Sequence, residues 1–394
     1  MNKIKIKQNI PQRWSLKKLS DVLDYERPDN YIVRSTSYSN KARTPVLTAN
    51  KSFILGYIDE DFGVYKNTPA IIFDDFTTDS KFVDFPFKVK SSAIKILKEK
   101  NQDVDLRFVF EKMKSVNFPT GSHKRFYISQ YQNMEIIVPP IDEQQKIAEI
   151  LGTADEDIVK TQEVIEAAEK LKRGLMQQLF TRGIGRKKSK KTKIGEIPEE
   201  WEVLELGKIC DVRDGTHSSP KYHEEGIPLI TSKNLVDNKL DFKNISLISG
   251  TDFQEIERRS RVDDGDILFG MIGTIGNPVI VKKDRDFAIK NVALIKFTES
   301  KMNNVFVLYF LKSTHTEGQF NQKKGGSTQK FIALGVIRQI LVTVPSPREQ
   351  KEIAEILSAV DEKISVNKKL KEKLTLLKKG LMQDLLSGRV RVNN

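Results

Sequence analysis

The chain has 394 residues and a formal net charge of +13, with 38% hydrophobic and 30% charged residues. This length is enough for two or three domains, and the composition is typical of a protein with a packed core. The positive charge favours a polyanionic partner, nucleic acid first. One cysteine, Cys210, and four histidines exclude an internal disulfide framework and a cysteine-rich zinc site.

No segment is typical of an export signal or a membrane span. Residues 1–14 alternate lysine with isoleucine and lack the apolar core of a signal peptide. The longest apolar run, Val305–Leu311, is far shorter than the roughly 20 residues of a transmembrane helix. We therefore expect a cytoplasmic protein.

The sequence contains two copies of one unit. Residues 136–151 match residues 342–357 at an offset of 206, and both copies contain Glu-Gln followed by Ile-Ala-Glu-Ile-Leu. Near the start of each unit, Ile10–Trp14 matches Ile197–Trp201 in the pattern Ile-Pro-x-x-Trp. The globular parts between these motifs are much less alike. We infer that the repeated segments share one structural task, while each globular part carries its own version of a variable task.

Two long helices are predicted where the repeat is strongest, because a proline precedes an acidic turn and apolar residues then recur every three or four positions. The predicted segments are a first globular domain at 1–141, a spacer helix at 142–181, a basic linker at 182–196, a second globular domain at 197–347, and a second spacer helix at 348–388 with a tail to 394.

Each predicted helix has a single narrow apolar stripe and would extend about 55 Å at 1.5 Å per residue. Such a helix needs a partner, and its own repeat is the obvious one. The fold class predicted is therefore α+β. Two mixed α/β domains are separated by a long antiparallel two-helix coiled coil with pseudo-two-fold symmetry. Dimerisation of the chain through the same stripes is the alternative.

Positive charge is distributed unevenly between the predicted segments. Residues 142–180 carry a net charge of −4 and residues 348–386 a net charge of +2, whereas the linker at 182–193 carries +7. The remaining positive charge lies mostly on the two globular domains. A phosphate-binding surface is therefore expected on the domains and the linker and not on the helices.

Short strand-like runs such as Ala70–Phe73 and Asp266–Phe269 mark the globular domains. Gly270, Gly273 and Gly276 predict a hairpin and not a phosphate loop, because no helix follows and Gly-Lys-Ser/Thr is absent. No Walker A loop and no Asp/Asn-Pro-Pro-aromatic loop occurs. The acidic pairs at 74–75 and 263–264 are interpreted as turn residues, so neither a catalytic centre nor a metal site is expected.

Sequence-specific DNA contacts need donors and acceptors on exposed loops, with basic residues nearby to hold phosphates. The loop Gly121–Phe126 parallels Gly326–Phe331, and each phenylalanine is expected to anchor its loop in the core. The candidate DNA-binding residues are Arg34, Lys41, Arg43, Thr77, Thr78, Lys81, Ser122, His123, Lys124, Arg125, Thr216, His217, Lys221, Lys233, Asn234, Lys290, Asn291, Ser327, Thr328, Gln329 and Lys330.

These features together resemble the specificity (S) subunit of type I restriction-modification systems. The resemblance spans the whole chain and includes Lys193–Trp201, the Glu-Gln helix starts, the paired Gly-Leu-Met-Gln helix ends, Asp214–His217 and the stretch at 326–329. The first domain departs from it, with Tyr25–Pro28 where the second has Asp-Gly-Thr-His.

The resemblance implies that each domain reads one half of a split asymmetric DNA target, with a gap set by the helices. It implies two modification subunits that use S-adenosylmethionine and two restriction subunits that use ATP and magnesium, so this chain itself has no catalytic activity and no cofactor. Two other functions stay open from the residues alone: a stand-alone nuclease with an unrecognised site, and a coiled-coil adaptor that binds only protein.

Overall fold

The computed structural model describes residues 10–392, except 40, 51, 117, 119–123, 186, 187 and 324–330. The chain folds as an α+β protein with two compact units. The first unit comprises residues 1–163 and 368–394, and the second comprises residues 164–367. Each unit therefore contains one globular domain and a part of both long helices. No helix in the described ranges is both long and apolar enough to cross a membrane.

In the first unit, the globular domain consists mainly of short strands, and the longer of its two short helices has ten residues. The elements are β1 (Ser15–Lys18), α1 (Leu19–Val22), β2 (Leu23–Glu26), β3 (Thr44–Leu47), β4 (Ile54–Ile58), β5 (Ala70–Asp74), β6 (Ser80–Val83), β7 (Lys88–Val89), β8 (Ile94–Glu99), α2 (Leu106–Ser115), β9 (Glu135–Val138) and α3 (Ile141–Arg182), which continues into the second unit.

The second unit has more elements of the same kinds. They are β10 (Ser189–Thr192), β11 (Gly195–Pro198), β12 (Glu202–Glu205), α4 (Leu206–Ile209), β13 (Asp211–Asp214), β14 (Ile227–Ile230), β15 (Leu235–Val236), β16 (Lys239–Leu240), β17 (Ser246–Ile248), α5 (Gly250–Ser260), β18 (Ile267–Gly270), β19 (Gly276–Ile280), β20 (Ala288–Ile289), β21 (Val292–Lys296), α6 (Asn304–Leu311), α7 (Thr314–Lys323), α8 (Leu334–Arg338), β22 (Leu341–Val344) and α9 (Pro347–Leu385), which continues into the first unit.

The two globular domains share one sheet topology. The order β2-β8-β5-β6 in the first corresponds to β13-β21-β18-β19 in the second. A three-stranded sheet of order β4-β3-β7 likewise corresponds to β17-β14-β20, each with one parallel pair. The strands predicted at 70–73 and 266–269 are confirmed as β5 and β18. The predicted hairpin is also confirmed, since Gly270 pairs with Gly276.

A tryptophan joins each domain to the start of a long helix. The indole of Trp14 donates to Glu143 Oε2 at 3.0 Å, and the indole of Trp201 donates to Glu349 Oε2 at 3.1 Å. Both indoles are buried, as are both glutamates. A buried carboxylate needs such donors because leaving it unsatisfied costs the full desolvation penalty. The Ile-Pro-x-x-Trp motif and the Glu of each helix start are thus two halves of one contact.

The glutamine after each of these glutamates makes a second contact with its domain. Gln144 Oε1 accepts from the backbone N–H of Asp105, and Gln350 Oε1 accepts from that of Asn303. Asp105 and Asn303 are the N-cap residues of α2 and α6, and each accepts a backbone N–H three residues later. Each long helix therefore holds the first turn of a domain helix in place.

The linker predicted at 182–196 contains regular secondary structure. Residues Ser189–Thr192 pair with Gly195–Pro198 in an antiparallel hairpin, with Ser189 opposite Pro198. Gly195 has a φ of +109°, which residues with a side chain rarely adopt. The long helices span Ile141–Arg182 and Pro347–Leu385, compared with predicted ranges of 142–181 and 348–388.

Lys378 on α9 forms ion pairs with two acidic side chains in the first unit, the buried Glu111 and the half-buried Asp155. Its ammonium lies 2.5 Å from Asp155 Oδ2 and 3.0 Å from Glu111 Oε2. Glu111 is fully buried, and this burial raises the pKa of its carboxyl against the nearby lysines. Arg107 also pairs with both carboxylates, and Lys114 pairs with Glu111. Removal of Lys378 would therefore take one of three cations from a partly buried cluster of charges.

We predict that Lys378→Ala lowers the free energy of unfolding of the first unit by about 1.5–3 kcal/mol, the range for a lost hydrogen bond to a charged group. The exposed neighbour Lys379 supplies the control, and Lys379→Ala should change it by less than about 0.5 kcal/mol. Native-state hydrogen exchange of the backbone amides in β5 and β8 measures this free energy in both variants. Equal protection of these amides in the two variants would show that Lys378 does not stabilise the first unit.

Candidate nucleic-acid interface

Four of the residues predicted in the second domain come together at one edge of its sheets. Thr216 follows β13 and forms an isolated parallel bridge with Lys290, which follows β20. Gly215 allows this close approach, because a Cβ there would lie 2.3 Å from the carbonyl oxygen of Ile289. The loops after β13 and β20 therefore present their side chains side by side.

His217 is the centre of this cluster. Its Nδ1 lies 2.8 Å from Asn291 Oδ1, and its Nε2 lies 2.7 Å from Asp214 Oδ2. Asp214 is buried and also accepts a hydrogen bond from Arg259. The bonds to Asn291 and Asp214 raise the pKa of His217, because the protonated imidazole donates to both. The His217 side chain is still 54% exposed.

The rim of the cluster is basic. Lys290 Nζ donates to Ser219 Oγ at 2.6 Å, while Lys221 and Lys233 are exposed. Lys233 belongs to a 3₁₀ turn whose Ser232 hydroxyl donates to the carbonyl oxygen of Asn291. The cluster thus presents an amide, an imidazole and ammonium groups together, which is the mixture that base and phosphate contacts require.

Asn234 does not belong to this surface, although the sequence predicted it there. Its side chain is 8% exposed. Its Oδ1 accepts from Thr231, and its Nδ2 donates to the carbonyl oxygen of Asp241. Both ends of the amide are therefore occupied inside a turn, and Asn234 is a structural residue.

The predicted residues of the first domain lie in three separate segments of the chain, at 34–43, 77–81 and 122–125. Arg34, Lys41 and Arg43 are exposed, and the guanidinium of Arg34 lies 4.5 Å from the centre of the Phe62 ring. The loop is tied to β4, because the N–H of Ser39 donates to the carbonyl oxygen of Tyr57.

Thr77 and Thr78 form the turn between β5 and β6, and Lys81 lies on β6. Asp74 is the last residue of β5, and its Oδ1 accepts from the N–H groups of Phe76 and Thr77 in the turn that follows.

The other acidic residues have different roles. Asp75 is buried, accepts from the N–H of Tyr127 and forms an ion pair with Lys95 at 3.5 Å. Asp75 lies in the turn after β5, as predicted, and its carboxylate also joins that turn to Tyr127 and Lys95. Asp263 forms an ion pair with Lys296 at 2.8 Å. In the ranges that the structure covers, no group of three or more His, Cys, Asp or Glu side chains is placed to hold a metal ion.

The loops that parallel each other at 121–126 and 326–331 are only partly described. Lys124 and Arg125 are exposed. Ser122, His123, Ser327, Thr328, Gln329 and Lys330 lie outside the described residues.

The expected phenylalanine anchor is confirmed for Phe126, which is 5% exposed, and is wrong for Phe331, which is 43% exposed. Ile332 is buried in its place and donates its N–H to Met271, as Phe126 donates to Asp75. The two loops thus correspond at the offset of 206 found for the helices.

The first domain has an open cavity where the second domain has the His217 cluster. Its volume is about 490 Å³. Arg27 follows β2 as Gly215 and Thr216 follow β13, and Ser92 precedes β8 as Lys290 precedes β21. The residues that line the cavity are Arg27, Pro28, Asp29, Asp75, Ser92, Lys95, Arg125, Ile128 and Ser129.

Sequence reasoning identified only Arg125 among these residues. It also missed Asp214 and Arg259 in the second domain as partners that position His217. For Arg27 the sequence does contain a signal, because Tyr25–Pro28 occupies the place that Asp-Gly-Thr-His has in the second domain. Lys95 gave no signal, since a lysine within a strand is ordinarily interpreted as facing solvent.

A family model described as the type I restriction modification DNA specificity domain matches residues 11–169 and 198–376. The two matches together cover more than half of the chain. The chain belongs to this family. Each match begins at or beside the Ile-Pro-x-x-Trp motif and extends into a long helix, so the family's unit coincides with the internal repeat.

This specificity protein is similar to known specificity subunits over most of its length. The chain is 27% identical to the type I restriction enzyme MjaVIII specificity subunit of Methanocaldococcus jannaschii, over 98% of this chain and 95% of the relative. It is 29% identical to the EcoR124I/EcoR124II specificity subunit of Escherichia coli, over 87% and 85%. The fold is similar to the crystal structure of an S subunit from M. genitalium, with a TM-score of 0.66, 16% identity, and coverage of 97% of this chain and 98% of that chain.

We predict that Asp214→Asn in this specificity protein lowers the pKa of His217, because it removes the negative charge beside Nε2. The hydrogen bonds of the protonated imidazole contribute fully to stability below pH 6.5, and that contribution is lost as the pH rises through the raised pKa. An NMR titration of the His217 ring measures both values. Asp211→Asn, on the same strand but bonded to Arg213, is the control and should leave the titration unchanged.

Proposed function

We propose that this chain recognises DNA for a type I restriction-modification complex, with one globular domain for each half of a split target. The observation that carries this is the shared topology of the two domains together with different side chains at the same sheet edge. The second domain has Thr216, His217, Lys290 and Asn291 there, and the first has an arginine-lined cavity. One scaffold with two different polar surfaces suits an asymmetric target.

The long helices act in this proposal as a paired spacer between the domains, antiparallel and related by a pseudo-two-fold axis. Contacts within each unit support the antiparallel direction. In the first unit, Lys378 bonds to Asp155 and Lys371 bonds to Gln162, so a step of seven residues forward on one helix is a step of seven back on the other. In the second unit, Lys172 bonds to Asp361 at 2.6 Å.

The modification and restriction chemistry belongs to partner subunits in this proposal. Two modification subunits would bind S-adenosylmethionine and methylate adenine, and two restriction subunits would use ATP and magnesium. The family membership and the names of the relatives favour this function over a stand-alone nuclease or an adaptor that binds only protein.

We predict that exchange of residues 15–135 for the first domain of another specificity protein changes one half of the DNA target and leaves the other half unchanged. The contact of Trp14 with Glu143 lies outside the exchanged segment and is kept, whereas the new domain must supply the N-cap residue that Gln144 contacts. Mapping methylated adenines in cells that also contain the modification subunits gives both half-sites. A change in both halves would contradict the independence of the domains.

We also predict that seven extra residues in both helices, between 163 and 164 and between 367 and 368, lengthen the tolerated gap by about three base pairs. Seven residues add about 10.5 Å at 1.5 Å each, and a base pair rises about 3.4 Å. A heptad keeps the apolar stripe in phase. The same insertion in only one helix is the control and should abolish methylation at every gap length. An unchanged gap after the double insertion would exclude the spacer role.

A further inference from the structure

The cavity of the first domain is built around a buried ion pair. Lys95 is 4% exposed and Asp75 is 1% exposed, and both side chains line the cavity. Arg27 and Arg125 are exposed at its rim. The lining thus carries three cationic side chains against the two carboxylates of Asp29 and Asp75. A small concave site with excess positive charge is suited to an anion.

The two guanidiniums at the rim of this cavity have no hydrogen-bond partner among the described residues, whereas both carboxylate oxygens of the buried Asp75 have a polar partner. Asp75 Oδ1 accepts from the N–H of Tyr127, and its Oδ2 faces Lys95. Within the described part of the chain, the Arg27 guanidinium has no hydrogen bond or ion pair, and that of Arg125 contacts only the Phe76 ring, at 5.8 Å. Arginine carries five N–H donors and no acceptor, so these two guanidiniums are available to bind a ligand that accepts hydrogen bonds.

We propose that this cavity binds a phosphate of the DNA backbone in the first half-site, with Arg27, Lys95 and Arg125 as the donors. The proposal rests on the DNA-recognition function above and assigns a role to Arg27 and Lys95, neither of which is among the candidate residues predicted from the sequence. A phosphate is an acceptor without donors and projects from the outside of the duplex, so it can enter a concave site. Base edges lie inside the grooves and are reached by projecting side chains.

The second domain differs at the equivalent place. There His217 is bonded to both Asn291 and Asp214, and Arg259 is bonded to Asp214, so the polar groups satisfy one another. The phosphate contact proposed for the cavity therefore belongs to the first domain alone. It would position that domain on its half of the target.

The test uses the intact complex of this chain with its modification subunits and a duplex that contains both half-sites. Dissociation constants are measured by fluorescence anisotropy over a range of salt concentrations. Arg27→Ala and Arg125→Ala should each weaken binding about tenfold at low salt, as expected for a lost charge-assisted bond. Each should also reduce the slope of log affinity against log salt by about one, with equal loss for every base substitution in the first half-site.

Two variants serve as matched controls. Arg27→Lys keeps the charge and should keep the salt slope. Lys17→Ala removes a charge outside the cavity, from a lysine that pairs with Asp103 at 3.1 Å, and should leave both affinity and slope unchanged. Because Arg27 and Arg125 are exposed, melting temperatures of the alanine variants should equal that of the unaltered complex.

An unchanged salt slope in both alanine variants would overturn the phosphate assignment. So would a loss confined to one base pair, because that pattern means that the cavity reads a base. In both cases the unaltered complex still binds its target, and DNA recognition by the chain stands. If the unaltered complex shows no salt-dependent binding to any duplex, the proposed function itself is wrong.

Discussion

The structure depends on one contact made twice: a glutamate at the first turn of a long helix that accepts the indole N–H of a buried tryptophan. Glu143 binds Trp14 and Glu349 binds Trp201. The adjacent glutamine holds the N-cap residue of a domain helix, so the helix and domain share a hydrogen-bonded seam. Beneath it the cores are continuous, with Ile147 and Leu151 buried in the first and Ile353 and Leu357 in the second. The loops that differ between domains take no part in this seam.

Much of the architecture was predictable because its signals are local. The stripe of the long helices repeats every three or four residues, and the repeat at an offset of 206 preserves it. The short domain helices were missed, although Asp105, Ser249 and Asn303 are N-cap residues whose side chains accept a backbone N–H. A cap is a weak signal when the helix that follows has only 8–11 residues. The hairpin within the basic linker was missed because its strands are rich in lysine.

The candidate site was only partly predictable, because it is assembled by pairing between strands far apart in the chain. Thr216 and Lys290 were both predicted, but their contact depends on the parallel pairing of β14 with β20. Asn234 was predicted to be a surface donor because its hydrogen-bond partner, the carbonyl oxygen of Asp241, comes next to it only when β15 and β16 pair. Lys95 was hidden because its ion pair with Asp75 exists only once β5 and β8 are adjacent. Loop residues were thus easier to find than the groups that position them.

The duplicated seam also has a genetic consequence. The amino-acid sequences of 136–151 and 342–357 are alike, so a crossover between related genes at this point would attach another domain to a helix start that keeps its glutamate and glutamine. An unequal crossover between the two copies in one gene would delete 206 residues, the offset between Glu143 and Glu349. The shortened product would keep one domain and one hybrid helix. Its apolar stripe would then need the same stripe from a second molecule.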